Sequence, residues 1–146
     1  MTILLKNHHY QEIISYAREK LPNEACGLLA GRVENDMKII EEVYYLTNID
    51  QSPEHFSMDP KEQFAAIKAI RSKDWQLLGN FHSHPSSPSR PSQEDIRLAF
   101  DPEASYFILS LKDKVKPVLK SFKIKEKAAS EEKLCFTHKI EPSVKT

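Results

Sequence analysis

The sequence has little cysteine: only Cys26 and Cys135, far apart in a chain of 146 residues. Two distant thiols do not make a disulfide framework, so a reducing, cytoplasmic setting is the simpler expectation. Neither sign of charge is in excess. Lys+Arg 21 against Asp+Glu 21 gives a formal net charge of +0, which supports neither a basic nucleic-acid footprint nor a general attraction to anionic membranes. No apolar run approaches the roughly 20 residues needed to span a bilayer. The opening Met1-Thr2-Ile3-Leu4-Leu5-Lys6 has no basic segment followed by a long apolar one, so no signal peptide is expected. There is no internal repeat and no low-complexity tract.

What is present is an ordinary globular mix, 40% hydrophobic and 29% charged, long enough to bury one core without staples. One domain is expected over residues 1–140. The polar end, Glu141 to Thr146, is expected to be flexible.

Tyr10, Ile13, Ile14, Ala17 and Leu21 recur at helical spacing, which predicts a first helix over residues 7–20 closed by Pro22. The run from Ala25 to Gly31 suits a buried strand. Ile39 to Leu46 is β-branched and aromatic and reads as another. Asn48 to Met58 is polar and without periodicity. Asp59, Pro60 and Glu62 look like a cap, a first-turn proline and a capping-box partner. Phe64, Ile67 and Ile70 would then form the apolar face of a second helix. Leu77 to His84 reads as a central strand. Pro85, Pro88 and Pro91 stiffen the loop after it. Ser92 opens a short third helix carrying Ile96, Ala99 and Phe100. Tyr106 to Leu111, Val118 to Ile124 and Leu134 to Ile140 read as three more strands. The fold class is therefore α/β: one domain, with a mixed, mainly antiparallel sheet sandwiched by helices.

Chemistry concentrates in Asn80-Phe81-His82-Ser83-His84-Pro85. On a strand, His82 and His84 point to one side and Ser83 to the other. Their Cα atoms would lie about 6.5 Å apart, close enough for two imidazoles to converge on one ion. Seven residues later comes Ser92-Gln93-Glu94-Asp95. Those residues read equally as a capping box, with Ser92 as N-cap. The two readings are compatible, because a first-turn carboxylate can also face the end of the preceding strand. Two imidazoles and one carboxylate would leave a zinc ion one open position, the catalytic pattern. Glu24 opens the apolar strand, where it is either a solvated strand end or a base with its pKa raised by partial desolvation.

Together these residues resemble the JAMM (MPN+) metalloprotease family. Its pattern is a glutamate, then His-Ser/Thr-His, seven residues, Ser, two residues and Asp. Here it stands as Glu24, His82-Ser83-His84, Ser92 and Asp95. Gly27-Leu28-Leu29-Ala30-Gly31 and Phe56-Ser57-Met58-Asp59-Pro60 extend the similarity, which runs to about residue 111. The resemblance implies a domain of the JAMM/MPN, cytidine-deaminase-like kind. It also implies one Zn2+ held by His82, His84 and Asp95, with Glu24 as general base and Ser92 helping to hold the oxyanion. The implied substrate is the C-terminal tail of a ubiquitin-like or sulfur-carrier protein, cleaved at a peptide or isopeptide bond. Lacking appended domains, the chain resembles the stand-alone prokaryotic members, some of which free cysteine from a carrier. The tail is expected to bind extended, as a strand added beside the sheet, with the Asn48–Met58 loop contributing.

Other features have plainer readings. Cys26 is a small thiol in a core strand or, given an activating base, a nucleophile. His8, His9, His55 and His138 are scattered, though the loop of His55 could line a cleft. The lysines from Lys112 to Lys127 form a solvated strand face or steer an acidic carrier. A non-catalytic scaffold of the same fold is the rival function, yet such scaffolds usually lose a ligand or the glutamate. A nucleobase deaminase would need His-x-Glu and Pro-Cys-x-x-Cys, which do not occur.

Overall fold

The computed structural model describes residues 1–137. Its elements are β1 (Thr2–Lys6), α1 (Asn7–Lys20), β2 (Cys26–Glu34), β3 (Met37–Leu46), α2 (Pro60–Ser72), β4 (Gln76–His84), α3 (Gln93–Arg97), β5 (Ser105–Ser110), β6 (Val118–Lys125) and β7 (Ala128–Thr137). The strands lie in the order β1-β3-β2-β4-β5-β6-β7, and β7 pairs again with β1, closing the sheet into a barrel. β1 runs parallel to β3 and β7, and β4 parallel to β5. The other pairs are antiparallel. The sheet is thus mixed and mainly antiparallel, as expected, with closure as an added feature.

Helices cover two sides of the barrel wall. Ile13, Ile14 and Ala17 of α1 join Ile3, Leu5, Leu29, Phe81 and Phe107 in the main core. Phe81 and Phe107 are fully buried, each contributing about 1.5–3 kcal/mol by leaving water. On the other side Ala66 of α2 packs with Cys26, Leu28 and Leu46. β2 divides its side chains between these two cores with period two. Both of its faces are therefore dry, which is why Cys26 to Gly31 is one unbroken buried run. A Cβ on Gly27 would lie 2.2 Å from both the Phe81 ring and the Tyr44 carbonyl oxygen. Glycine is what lets β2 approach them.

Several expectations need correction. Residues 2–6 form β1, to which the sequence reading assigned no element, because five residues are too few to show a period. They nevertheless bury Ile3 and Leu5 completely. β7 begins at Ala128, six residues before the expected Leu134. The turn ahead of it, Glu126-Lys127, has positive φ at both residues (51° and 62°), a hairpin geometry usually marked by Asn-Gly. Residues 128–133 are exposed except for Glu132, so they carry no apolar pattern. Glu62 does not complete a capping box. It accepts instead from the backbone N–H and hydroxyl of Thr47, at 2.7 and 2.9 Å. The buried side of α2 is Ala66 and Ile70, while Phe64 is exposed, and Phe100 lies beyond α3 and is exposed too. The expected strand end at Ile140, His138 and the tail Glu141–Thr146 lie outside the described residues. Among the described residues no helix is long and apolar enough to cross a membrane.

Candidate metal centre

β2 and β4 are antiparallel neighbours, with Cys26 opposite His82. Beyond that pair, the Ser83 N–H donates to the Ala25 carbonyl at 3.0 Å, and the Ala25 N–H donates to Ser83 Oγ at 2.8 Å. The residue between the two histidines therefore fixes the start of β2, where Glu24 stands. His82 and His84 share one face of β4 and are both buried. The loop after β4 is tied back to β5: Ser89 Oγ donates to the Ile108 carbonyl and Ser110 Oγ to the Ser87 carbonyl, each at 2.6 Å. This places α3 with Asp95 over the histidines.

Both sequence readings of Ser92 and Asp95 hold geometrically. The Asp95 N–H donates to Ser92 Oγ at 3.0 Å and the Ser92 N–H donates to Asp95 Oδ2 at 2.9 Å, a complete capping box. The same Oδ2 lies 3.1 Å from His82 Nε2 and 3.2 Å from His84 Nε2. The two Nε2 atoms are 3.1 Å apart. Three donors form a near-equilateral triangle, slightly smaller than the roughly 3.3 Å edge of a tetrahedron with metal bonds near 2.0 Å.

The chemistry of the donors supports a cation there. His84 Nδ1 is 2.9 Å from the Pro88 carbonyl. A carbonyl only accepts, so Nδ1 carries the proton and a neutral ring presents a bare lone pair at Nε2. That lone pair faces a carboxylate oxygen. Either the imidazole gains a proton or a cation must sit between them. Burial alone would lower the affinity of His84 for a proton, but Asp95 and the Pro88 carbonyl raise it overall. Burial would likewise raise the Asp95 carboxyl, yet His82, His84 and the Ser92 N–H hold it well below the usual carboxylate range. The triad could therefore hold a cation, and the described residues contain one such group. His82 Nδ1 is buried with no partner among the described residues. Its ring is held by stacking on Phe56, with centroids 4.8 Å apart.

Glu24 is 4% exposed, and its Oε1 is buried with no partner among the described residues. Burial pushes its carboxyl up to about 8; His84 opposes the rise, while Asp95 and Glu94 add to it. Its backbone is anchored to the polar loop, with N–H donating to the Ser52 carbonyl at 2.8 Å and C=O accepting from Asn48 Nδ2 at 3.0 Å. Beside the triad lies a cleft of about 290 Å³ whose lining includes His55, Phe56, Met58, Asn80, His82 and Asp95. His55 thus does line the cleft. A wider groove, about 750 Å³, runs along Arg90, Lys112 and Lys120 and includes none of the triad.

Cys26 is fully buried and its thiol is pushed up to about 12 by burial, which suits packing and not attack. Both described cysteines are free. The sequence placed Ser83 in the histidine pattern and Phe56 and Asn48 in the loop expected to meet the tail, but it did not mark Phe56 as the ring against His82, Pro88 as the partner of His84, or Asn48 as a tie to Glu24. Ser83 had a signal, since it points away from its flanking histidines into the strand pair. Asn48 had none.

Comparison with known proteins agrees with this geometry. Residues 6–125 match the family described as prokaryotic homologs of the JAB domain. The chain is 33% identical over 120 residues to the CysO-cysteine peptidase of Mycobacterium tuberculosis, covering 82% of this chain and 81% of that one. It is 34% identical over 103 residues to the desampylase of Haloferax volcanii, covering 67% and 73%. The solution structure of protein DSY2949 from Desulfitobacterium hafniense superposes with a TM-score of 0.86 at 54% identity, covering 97% and 96%. With its fold, its histidine–aspartate group and 120 matched residues in agreement, the chain belongs to the prokaryotic JAB-domain family.

Proposed function

We propose that this JAB-type hydrolase is a zinc peptidase that cleaves a peptide or isopeptide bond at the C-terminal tail of a ubiquitin-like or sulfur-carrier protein. The observation that carries the reading is the convergence of His82 Nε2, His84 Nε2 and Asp95 Oδ2, with the His84 lone pair fixed by Pro88. These three residues would hold the zinc, which when bound supplies Lewis acidity and activates water as the nucleophile. The names of the peptidase and desampylase relatives support the substrate class.

Glu24 is the general base. Its buried carboxyl, raised to about 8, binds a proton readily, and a nearby cation favours the ionised form that accepts it. It takes the proton from the attacking water and returns it to the leaving amine, so one carboxyl serves both transfers. Ser92 Oγ is committed as an acceptor to the Asp95 N–H, but its hydroxyl proton is free to donate to the oxyanion. Phe56 and Met58 flank the cleft and exclude water from one side of the reacting bond.

Barrel closure modifies the expected mode of tail binding. Every strand already has two neighbours, so an extended tail has the Asn48–Met58 backbone, and not a free barrel edge, as its partner. The test is incubation of the protein with ubiquitin-like carriers bearing C-terminal extensions, read by intact mass. Extensions are expected to be released, at a rate at least about a hundredfold lower in Glu24→Gln with zinc content unchanged. A native rate for Glu24→Gln would refute the assignment of the base. A Gly-Gly tail should be cut faster than a Val-Val tail, because a narrow slot excludes bulk.

A further inference from the structure

Asn48 sits half-buried just after β3, in a stretch that reads as a structureless polar loop. Its side chain is fully engaged. Nδ2 donates to the Glu24 carbonyl at 3.0 Å and to the His55 carbonyl at 3.1 Å. Oδ1 accepts from the Asp50 N–H at 3.0 Å and the Ser57 N–H at 3.1 Å. Two donors and two acceptor sites are all that a primary amide offers. The two carbonyls it joins belong to the residue that carries the buried carboxylate and to the neighbour of Phe56.

We infer that Asn48 is a positioning residue: one amide couples the backbone of Glu24 to the segment that lays Phe56 against His82. The inference rests on the reading of Glu24 as general base. Its second support is independent of Asn48, since the Glu24 N–H donates to Ser52 at 2.8 Å and the loop base is closed by Ile49 N–H to the Ser57 carbonyl at 2.9 Å. Both polar backbone groups of Glu24 thus end on this loop. A small displacement of a catalytic group is enough to lower turnover sharply, so a residue fixing both sides of the site controls rate through the groups it positions.

The chemistry requires an amide. Aspartate at this position keeps the shape and the acceptor but turns both donors into an anionic oxygen facing two carbonyls. Glutamine is a methylene too long for four simultaneous contacts. By contrast Asp50, which accepts from Ser57 Oγ at 2.8 Å and His55 Nδ1 at 3.1 Å, braces the same loop with no bond to Glu24.

The experiment compares Asn48→Asp, Asn48→Ala and Asp50→Ala with the unaltered protein. Amide hydrogen exchange on the metal-free protein is read at Glu24 and across β2 and β5. Then kcat, KM and zinc content are measured on a carrier with a C-terminal extension. Both Asn48 variants should exchange the Glu24 amide at least about tenfold faster with β5 unchanged. Their kcat should fall about 10- to 100-fold at full zinc content, while Asp50→Ala leaves exchange at the Glu24 amide within about threefold of native. Native exchange at Glu24 and native kcat in Asn48→Asp would overturn the inference. So would an equal rise of Glu24 amide exchange in Asp50→Ala, which would assign the effect to a loosened loop. Exchange at Glu24 needs no turnover, so it tests Asn48 even if Glu24→Gln proves active and the general-base reading fails.

Discussion

The ring of Phe56 lies nearly flat on the ring of His82, with 23° between their planes and 4.8 Å between their centroids. Among the described residues His82 Nδ1 has no hydrogen-bond partner, and this contact holds the ring instead. A histidine ligand is normally oriented through its second nitrogen; with His82 as the proposed ligand, an aromatic face takes that place. Stacked aromatic pairs contribute about 0.5–1.5 kcal/mol beyond buried area. Phe56→Ala should therefore weaken zinc binding by several-fold, up to about tenfold, in competition with a chelating dye. Phe56→Tyr should bind as the native protein does.

Removing both imidazoles should abolish the site. The purified protein is expected to hold about one zinc per chain, and a His82→Ala, His84→Ala double variant close to none, by elemental analysis. Full retention in the double variant would end the metal assignment. Chelation of the native protein should stop cleavage, with zinc restoring it.

Ser83 links the two halves of the site. Ser83→Ala leaves the Ala25 N–H buried without its 2.8 Å acceptor, which costs about 1–3 kcal/mol. Thermal unfolding should shift down by roughly 2–12 °C on that account, and kcat should fall as the start of β2 relaxes. Ser83→Thr keeps the oxygen and should recover most of both losses.

Glu24 makes stability depend on pH in an unusual direction. Its folded value is raised by burial to about 8 from an ordinary 4.5. Between those values the unfolded chain has released the proton and the folded chain still holds it. The folded state then binds more protons, so stability falls as pH rises across that window. In metal-free protein, Glu24→Gln should raise the melting temperature little near pH 4 and progressively more towards pH 8. A constant offset across that range would contradict the buried-carboxyl account.

Much of this was legible in the sequence because the signals were local. Strand alternation put His82 and His84 on one face, and a short stiff loop with a helix start let Asp95 face them; the choice of these three as ligands came from the family resemblance. Helix α1 followed its apolar spacing to the residue at both ends. What escaped depended on distant partners. β1 is five residues long and gains its identity from β3 and β7 on either side. Glu62 looked like a local cap but found Thr47 fifteen residues away. Asn48 looked like loop filler because its partners include the Glu24 carbonyl, which no spacing rule connects to it.

The seam between β1 and β7 bears on how the molecule is assembled. Thr2 faces Lys133 and Lys6 faces Thr137, so the first strand finds its second neighbour only after nearly the whole described chain exists. Until then β1 has three paired positions with β3, Thr2 to Leu4, and its other side is a bare row of amides and carbonyls. Contacts of such long sequence separation form slowly, and unpaired strand edges attract other chains meanwhile. The wall that carries Glu24, His82 and His84 can be assembled from β2 to β5 before that happens. On a nascent chain the centre would thus take shape while the barrel is still an open sheet, and closing the seam would be the step that ends its exposure to neighbours.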